Sequence, residues 1–157
     1  LEPRPSGVPD LAHQFYGDVD ASTIDPSSDL YGGGGIAAPV GDLGIFMRAL
    51  FTGGVYTDPD TAPTMLTTVD TVKMSAGGEA SGMPPGMYRM GVWVMDVEGF
   101  TVYRHSGFWG TVADYVPELD LVIAATVNQN QDKAALWDMV GRTIVVIRDA
   151  TGAQHPS

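Results

Sequence analysis

Residues His105–Gln129 read HSGFWGTVADYVPELDLVIAATVNQ. Thr111–Val116 is rich in β-branched and aromatic residues and reads as a strand. Pro117–Asp120 makes a tight turn. Leu121–Val127 then runs apolar without interruption, as a central strand covered on both faces does. Upstream, Phe100–Ser106 alternates Phe100, Val102 and Arg104 against Thr101, Tyr103 and His105, the period of a strand. Glu98-Gly99 is a turn, and Tyr88–Val97 is the strand before it. Short turns between successive strands imply an antiparallel meander. Downstream, residues 132–148 place Leu136, Met139, Val140, Ile144 and Ile147 on one helical face, with Asp132 as N-cap. This helix is expected to pack on the sheet.

The first half is different. Leu1–Pro9 carries three prolines, and Asp18–Asp29 is acidic, so residues 1–35 read as irregular. Residues 39–52 form the one strong helix, with Leu43, Phe46, Met47 and Leu50 as its apolar stripe and Pro39 at its first position. Gly53-Gly54 closes it, and a shorter helix is expected near Thr61–Thr68. Residues 74–87 form a Gly/Pro/Ser/Met-rich connection. The expected class is α+β: a loop-rich helical part over residues 1–87, then antiparallel strands and a terminal helix over residues 88–150, in one domain or fragment.

The 157 residues carry 8 Lys+Arg against 19 Asp+Glu, a net charge of −11. Phosphate backbones and anionic lipid surfaces repel such a chain, so no nucleic-acid partner is expected. No apolar run is long enough to span a bilayer. With no Cys, disulfides and thiolate chemistry are excluded. The chain starts at Leu1, which suggests that a leader or a larger N-terminal portion has been removed.

The chemistry-bearing stretch is His105-Ser106-Gly107-Phe108-Trp109-Gly110-Thr111. An imidazole acts near neutral pH, a hydroxyl holds a carboxylate or relays a proton, and a glycine lets a ligand come close. The plain alternative is a strand histidine satisfied by a neighbour. Elsewhere the structural readings lead. Asp18/Asp20 and Asp58/Asp60 lack the rest of a calcium loop and serve turns. Gly32–Gly35 lacks the Lys-Ser/Thr that completes a phosphate cradle. Asn128–Asp132 offers amides that could line a polar site, but strand exit plus helix N-cap is the better reading. Trp93 and Trp137 read as core anchors, and Asp114 as edge-facing or paired.

Tyr31–Phe51, YGGGGIAAPVGDLGIFMRALF, resembles the glycine-rich turn and helix of the β-lactamase-related serine hydrolases. These include class C β-lactamases, D-Ala-D-Ala carboxypeptidases, D-aminopeptidases and related esterases. His105–Gln129 is similar to their third active-site motif and its two following strands, and Leu11–Tyr16 resembles the segment before the glycine turn. The resemblance spans residues 9–148 and implies part of a β-lactamase/transpeptidase-like fold. It implies that His105 supports proton transfer and carboxylate binding, that Ser106 bonds that carboxylate, and that Gly107 keeps the strand edge clear. The Phe108 N–H would be an oxyanion-hole donor, and Phe108 and Trp109 would wall the substrate pocket. Histidine at 105 leans toward the carboxypeptidase and esterase branches. No metal or organic cofactor is implied, and a secreted or periplasmic bacterial setting is.

One departure outweighs these matches. The family's Ser-x-x-Lys is absent: the only lysines, Lys73 and Lys133, follow Asp70 and Asn130 by three residues. None of the 6 tyrosines has Asn two places on. Both elements lie N-terminal to the matched region in this family, so the nucleophile is expected outside this chain. The chain then reads as the C-terminal part of a serine hydrolase acting on amide, ester or β-lactam bonds, inactive alone. Its expected partner is a complementary segment or chain carrying Ser-x-x-Lys, or a second copy, together with a small acyl substrate. The alternatives are a non-catalytic binding module that keeps the fold, or a fragment with no independent role.

Overall fold

Strand β4 (Phe100–Ser106) pairs on one side with β3 (Trp93–Val97) and on the other with β5 (Thr111–Val116), which pairs with β6 (Leu121–Thr126). All three pairings are antiparallel, so the sheet is the expected meander. The computed structural model describes residues 12–23, 34, 36–67 and 88–153. The glycine run at 32–35 (apart from Gly34) and the connection at 74–87 lie outside these residues.

The turns follow from their residues. Glu98 and Gly99 both take positive φ, 54° and 83°, the combination that matches strand twist in a two-residue hairpin. β3 starts at Trp93 rather than Tyr88. Arg89 N donates to Val92 O at 2.7 Å, so Tyr88–Val92 folds back instead of extending.

Each sheet face carries a helix. Helix α3 (Lys133–Thr151) puts Leu136, Val140 and Ile144 against one face. There they bury Phe100, Val102, Val112 and Val116, with Ile123 between the two clusters. Each such side chain contributes about 1.5–3 kcal/mol by leaving water. Met139, assigned to this face by spacing, is 49% exposed and lies outside it. Asp132 stands at the N-cap without a side-chain capping bond.

Helix α1 (Val40–Phe51) covers the opposite face. Met47 and Leu50 are buried, and the Phe51 ring lies 4.8 Å from that of Tyr103 and 5.9 Å from that of Tyr115. Pro39 is the N-cap rather than the first helical residue, and no side chain caps the helix. Gly54 N closes the other end on Ala49 O at 2.7 Å. Phe46, expected on the buried stripe, is 50% exposed, and Ile45 is 71% exposed. α2 (Thr61–Met65) is the expected short helix.

Two expectations are corrected. Among the described residues β6 is an edge strand of its sheet, not a central one; its apolar run reflects cover from α1 on one face and α3 on the other. Residues 12–23, read as irregular, contain a hairpin, β1 (Phe15–Tyr16) and β2 (Val19–Asp20). Its strands are too short to show a period.

Arg104 and Asp114 face each other across β4 and β5 inside the apolar layer, 4% and 0% exposed. Arg104 Nε donates to Asp114 Oδ1 at 2.8 Å and its Nη2 to Oδ2 at 2.6 Å. Asp114 is therefore paired, not edge-facing. Burial pushes its carboxyl above the ordinary carboxylate range, against the opposing pull of Arg104.

Candidate functional site

His105 is the penultimate residue of β4 and lies opposite Ala113. Its side chain is exposed, and its Nδ1 is 3.1 Å from the Gly91 carbonyl oxygen. A carbonyl only accepts, so Nδ1 carries the hydrogen in that contact. In the neutral tautomer that leaves Nε2 as the ring's acceptor.

Ser106 is half-buried and opposite Val112. Strand alternation turns it toward the α3 side of the sheet, whereas His105 faces the α1 side. The structure thus places the two residues side by side in the chain but does not bring their side chains to one face.

The loop that follows is tightly built. Gly107 N donates to Thr111 O at 2.8 Å, and Gly110 N donates to Gly107 O at 3.2 Å. The Gly107 carbonyl therefore points into the turn. Its peptide is trans, so the Phe108 N–H points the opposite way, out of the turn, and no acceptor meets it among the described residues. This leaves the Phe108 N–H available to donate to an approaching group.

Gly110 closes the loop at φ 94°. A Cβ there would lie 2.7 Å from Val127 Cγ2 and 2.9 Å from Val127 O, so only glycine fits. At Gly107 a Cβ would meet nothing nearer than 3.9 Å. The chain's own packing leaves Gly107 open, and its smallness serves whatever approaches from outside.

Phe108 is 61% exposed. Its carbonyl accepts from Asn130 Nδ2 and, at 3.1 Å, from Lys133 Nζ. Its ring packs on Trp109 edge to face at 5.0 Å, with the Lys133 ammonium 5.0 Å from the ring centre. Trp109 is half-buried.

Four residues near Phe108 are not singled out as site residues by the sequence, where Gln129 and Asn130 read first as strand exit and N-cap. Tyr16 lies with its ring within 6° of parallel to Phe108, centroids 6.3 Å apart. Gln129 holds Tyr16's hairpin by accepting from Gly17 N at 3.1 Å and donating to Gly17 O at 3.0 Å. Asn130 and Lys133 hold the loop itself. The polar run Asn128–Asp132 was the available signal, but its partners are more than 20 residues away and leave no local pattern.

The remaining candidates take structural roles. Asp20 accepts from Ser22 N at 2.9 Å, and Asp58 accepts from Asp60 N at 2.9 Å, both turn contacts. Among the described residues no cluster of His, Cys, Asp or Glu could hold a metal. Trp93 and Trp137 are half-buried rather than core anchors, Trp93 packing on Tyr88 at 4.7 Å. An open groove of about 420 Å³ lies on the outer face of α3, lined by Asp138, Met139, Arg142, Thr143 and Val146 and by none of the His105–Trp109 residues.

No curated protein and no solved structure matches the chain. A family model described as Beta-lactamase matches residues 1–142. The meander, its two helices and this strand end therefore belong to a member of the β-lactamase family of serine hydrolase-type folds.

Proposed function

We propose that the chain forms one wall of the cleft of an acyl-enzyme serine hydrolase acting on amide, ester or β-lactam bonds. The outward Phe108 N–H next to an exposed imidazole carries this reading. In the reaction a serine oxygen attacks the acyl carbon, and negative charge gathers on the carbonyl oxygen. Phe108 N–H is one of the two donors that receive it, the other coming from the nucleophile's own residue. His105 Nε2 accepts or returns the proton, and Gly107 keeps the strand edge beside it clear, while the Ser106 side chain faces the other side of the sheet.

The serine comes from a segment carrying Ser-x-x-Lys, since this sequence has none. The face of α1 turned away from the sheet supports that partner. Ile45 and Phe46 of α1 are 71% and 50% exposed, on the helix that covers the side of the sheet His105 faces. Large apolar side chains left in water on one helix suit a partner that covers them.

The test is labelling. The isolated chain is expected to hydrolyse p-nitrophenyl acetate and nitrocefin no faster than buffer and to take no fluorophosphonate. Joined to the region encoded upstream of it, the assembly is expected to label on the serine of a Ser-x-x-Lys, with turnover reduced by His105→Ala. Saturable turnover by the isolated chain, with an acyl adduct on one of its own serines, overturns the proposal.

A further inference from the structure

We infer that Lys133 is a positioning residue for the Phe108 N–H, holding that donor in line and placing a fixed positive charge beside it. The inference rests on the acyl-transfer reading and names the groups that aim its donor. The Phe108 N–H belongs to the peptide whose carbonyl, Gly107 O, accepts from Gly110 N at 3.2 Å, the long end of the usual range. That bond alone leaves the peptide room to rock. The second hold is one peptide further on, where the Phe108 carbonyl accepts from Asn130 Nδ2 and, at 3.1 Å, from Lys133 Nζ. A carbonyl has two lone pairs, and both are then taken. Residue 108 is thereby gripped on each side of its Cα, and the direction of its N–H with it.

Lys133 does more than fill a lone pair. Its bond to the carbonyl is charge-assisted, the stronger kind. Its stem is braced by the loop: a Cβ on Gly110 would lie 3.7 Å from Lys133 Cγ. The same ammonium stands 5.0 Å from the centre of the Phe108 ring. Helix stability does not explain this placement. Lys133 is the first residue of α3, where the helix dipole disfavours a positive charge. Lys73 and Lys133 are the only lysines in a chain of net charge −11. Carbonyl, ring and Gly110 contacts together fix this cation beside the residue whose N–H meets the negative charge of the reaction. A charge already fixed in place needs no reorganisation when that charge appears.

The test has one arm on the full chain and one on its assembly with the region encoded upstream. In the full chain, the amide residual dipolar coupling of Phe108 reports the direction of its N–H and needs no nucleophile. Lys133→Met is expected to change that coupling and Lys133→Arg to restore it. The thermal midpoint is expected to stay within roughly 4 °C, since removing a cation from the first turn relieves the helix. In the assembly, Lys133→Met is expected to lower kcat for p-nitrophenyl acetate roughly 10- to 100-fold, less than the loss of a donor outright, with KM within about twofold. Lys133→Gln, which keeps a neutral donor, is expected to fall between Met and Arg. An unchanged Phe108 coupling in Lys133→Met overturns the inference whatever the assembly does. In an active assembly, an unchanged kcat, or a raised KM with kcat intact, overturns it as well. An assembly with no turnover fails the hydrolase reading, and the coupling alone then decides whether Lys133 aims the N–H.

Discussion

Replacing Gly110 by alanine tests how the loop after β4 is closed. The residue sits at φ 94°, where an L side chain is strained by about 1–2 kcal/mol. The new Cβ would also lie 2.9 Å from Val127 O, a backbone atom that cannot rotate away. Relief requires the loop and the end of β6 to part, and overpacking of this kind costs about 1–3 kcal/mol. Parting them also weakens the bond from Val127 N to Gly110 O, 2.9 Å long, worth about 0.5–1.5 kcal/mol. Together these give a loss of about 2.5–6.5 kcal/mol, or a thermal midpoint lower by about 5–26 °C for a chain of this size. Gly107→Ala is the matched control: its Cβ meets only Thr111, at 3.9 Å, and the expected change is within about 0.5 kcal/mol. Both are read by circular dichroism in heat and in urea. Coincident unfolding of Gly110→Ala and Gly107→Ala would refute the reasoning, because only Gly110 combines a positive φ with a crowded Cβ position.

Further outcomes follow from other contacts. Asp114→Asn leaves Arg104 buried without its charge partner and is expected to cost about 3–5 kcal/mol in urea unfolding, while Arg104→Met with Asp114→Leu together costs far less. A double variant as unstable as the single one would mean the pair itself, not the orphaned charge, carries the energy. Bonds from Ser22 and His13 hold the Asp20 carboxyl below its ordinary 3.8. A depressed value stabilises the fold above pH 3.8 and loses that effect as pH falls through the folded-state value, so a carboxyl NMR titration of Asp20 should show a midpoint below 3.8 that rises in Ser22→Ala. Phe46→Lys should leave the isolated chain's stability within about 0.5 kcal/mol, since the ring is half in water, yet weaken pairing with a Ser-x-x-Lys segment in a pull-down. Unchanged capture would remove α1 from the interface.

The parts of the fold legible in the sequence were those whose signals are local. Phe100–Ser106 and Thr111–Val116 have the expected ends because Glu98-Gly99 and Pro117–Asp120 are turn chemistry and the strands between carry their own period. Phe46 was misplaced for a physical reason. A stripe at i, i+3, i+4 and i+7 is wider than the contact α1 makes with the sheet, so one edge of it stays bare. The edge position of β6 was hidden because an uninterrupted apolar run reports cover on two faces and says nothing of hydrogen-bond neighbours. At the site, His105 and Phe108 could be picked out from the motif and its resemblance. Tyr16, Gln129 and Asn130 could not, since their roles depend on chain segments meeting across the fold.

Arg104 and Asp114 bear on the site through register. The residue after Arg104 is His105, whose imidazole is held at its Nδ1 by Gly91 O. A slip of one residue between β4 and β5 would turn His105 from the α1 side to the α3 side and Ser106 the reverse. The apolar residues resist such a slip only by area. Two directed bonds between a guanidinium and a carboxylate, both buried, resist it by leaving a bare charge in the core in any other register. This predicts a division of labour in the Arg104→Met, Asp114→Leu double variant. Its global stability should survive, but the hydrogen-exchange protection of the β4–β5 amides next to His105 should fall. Full protection there would show that apolar packing alone holds the imidazole on its face of the sheet.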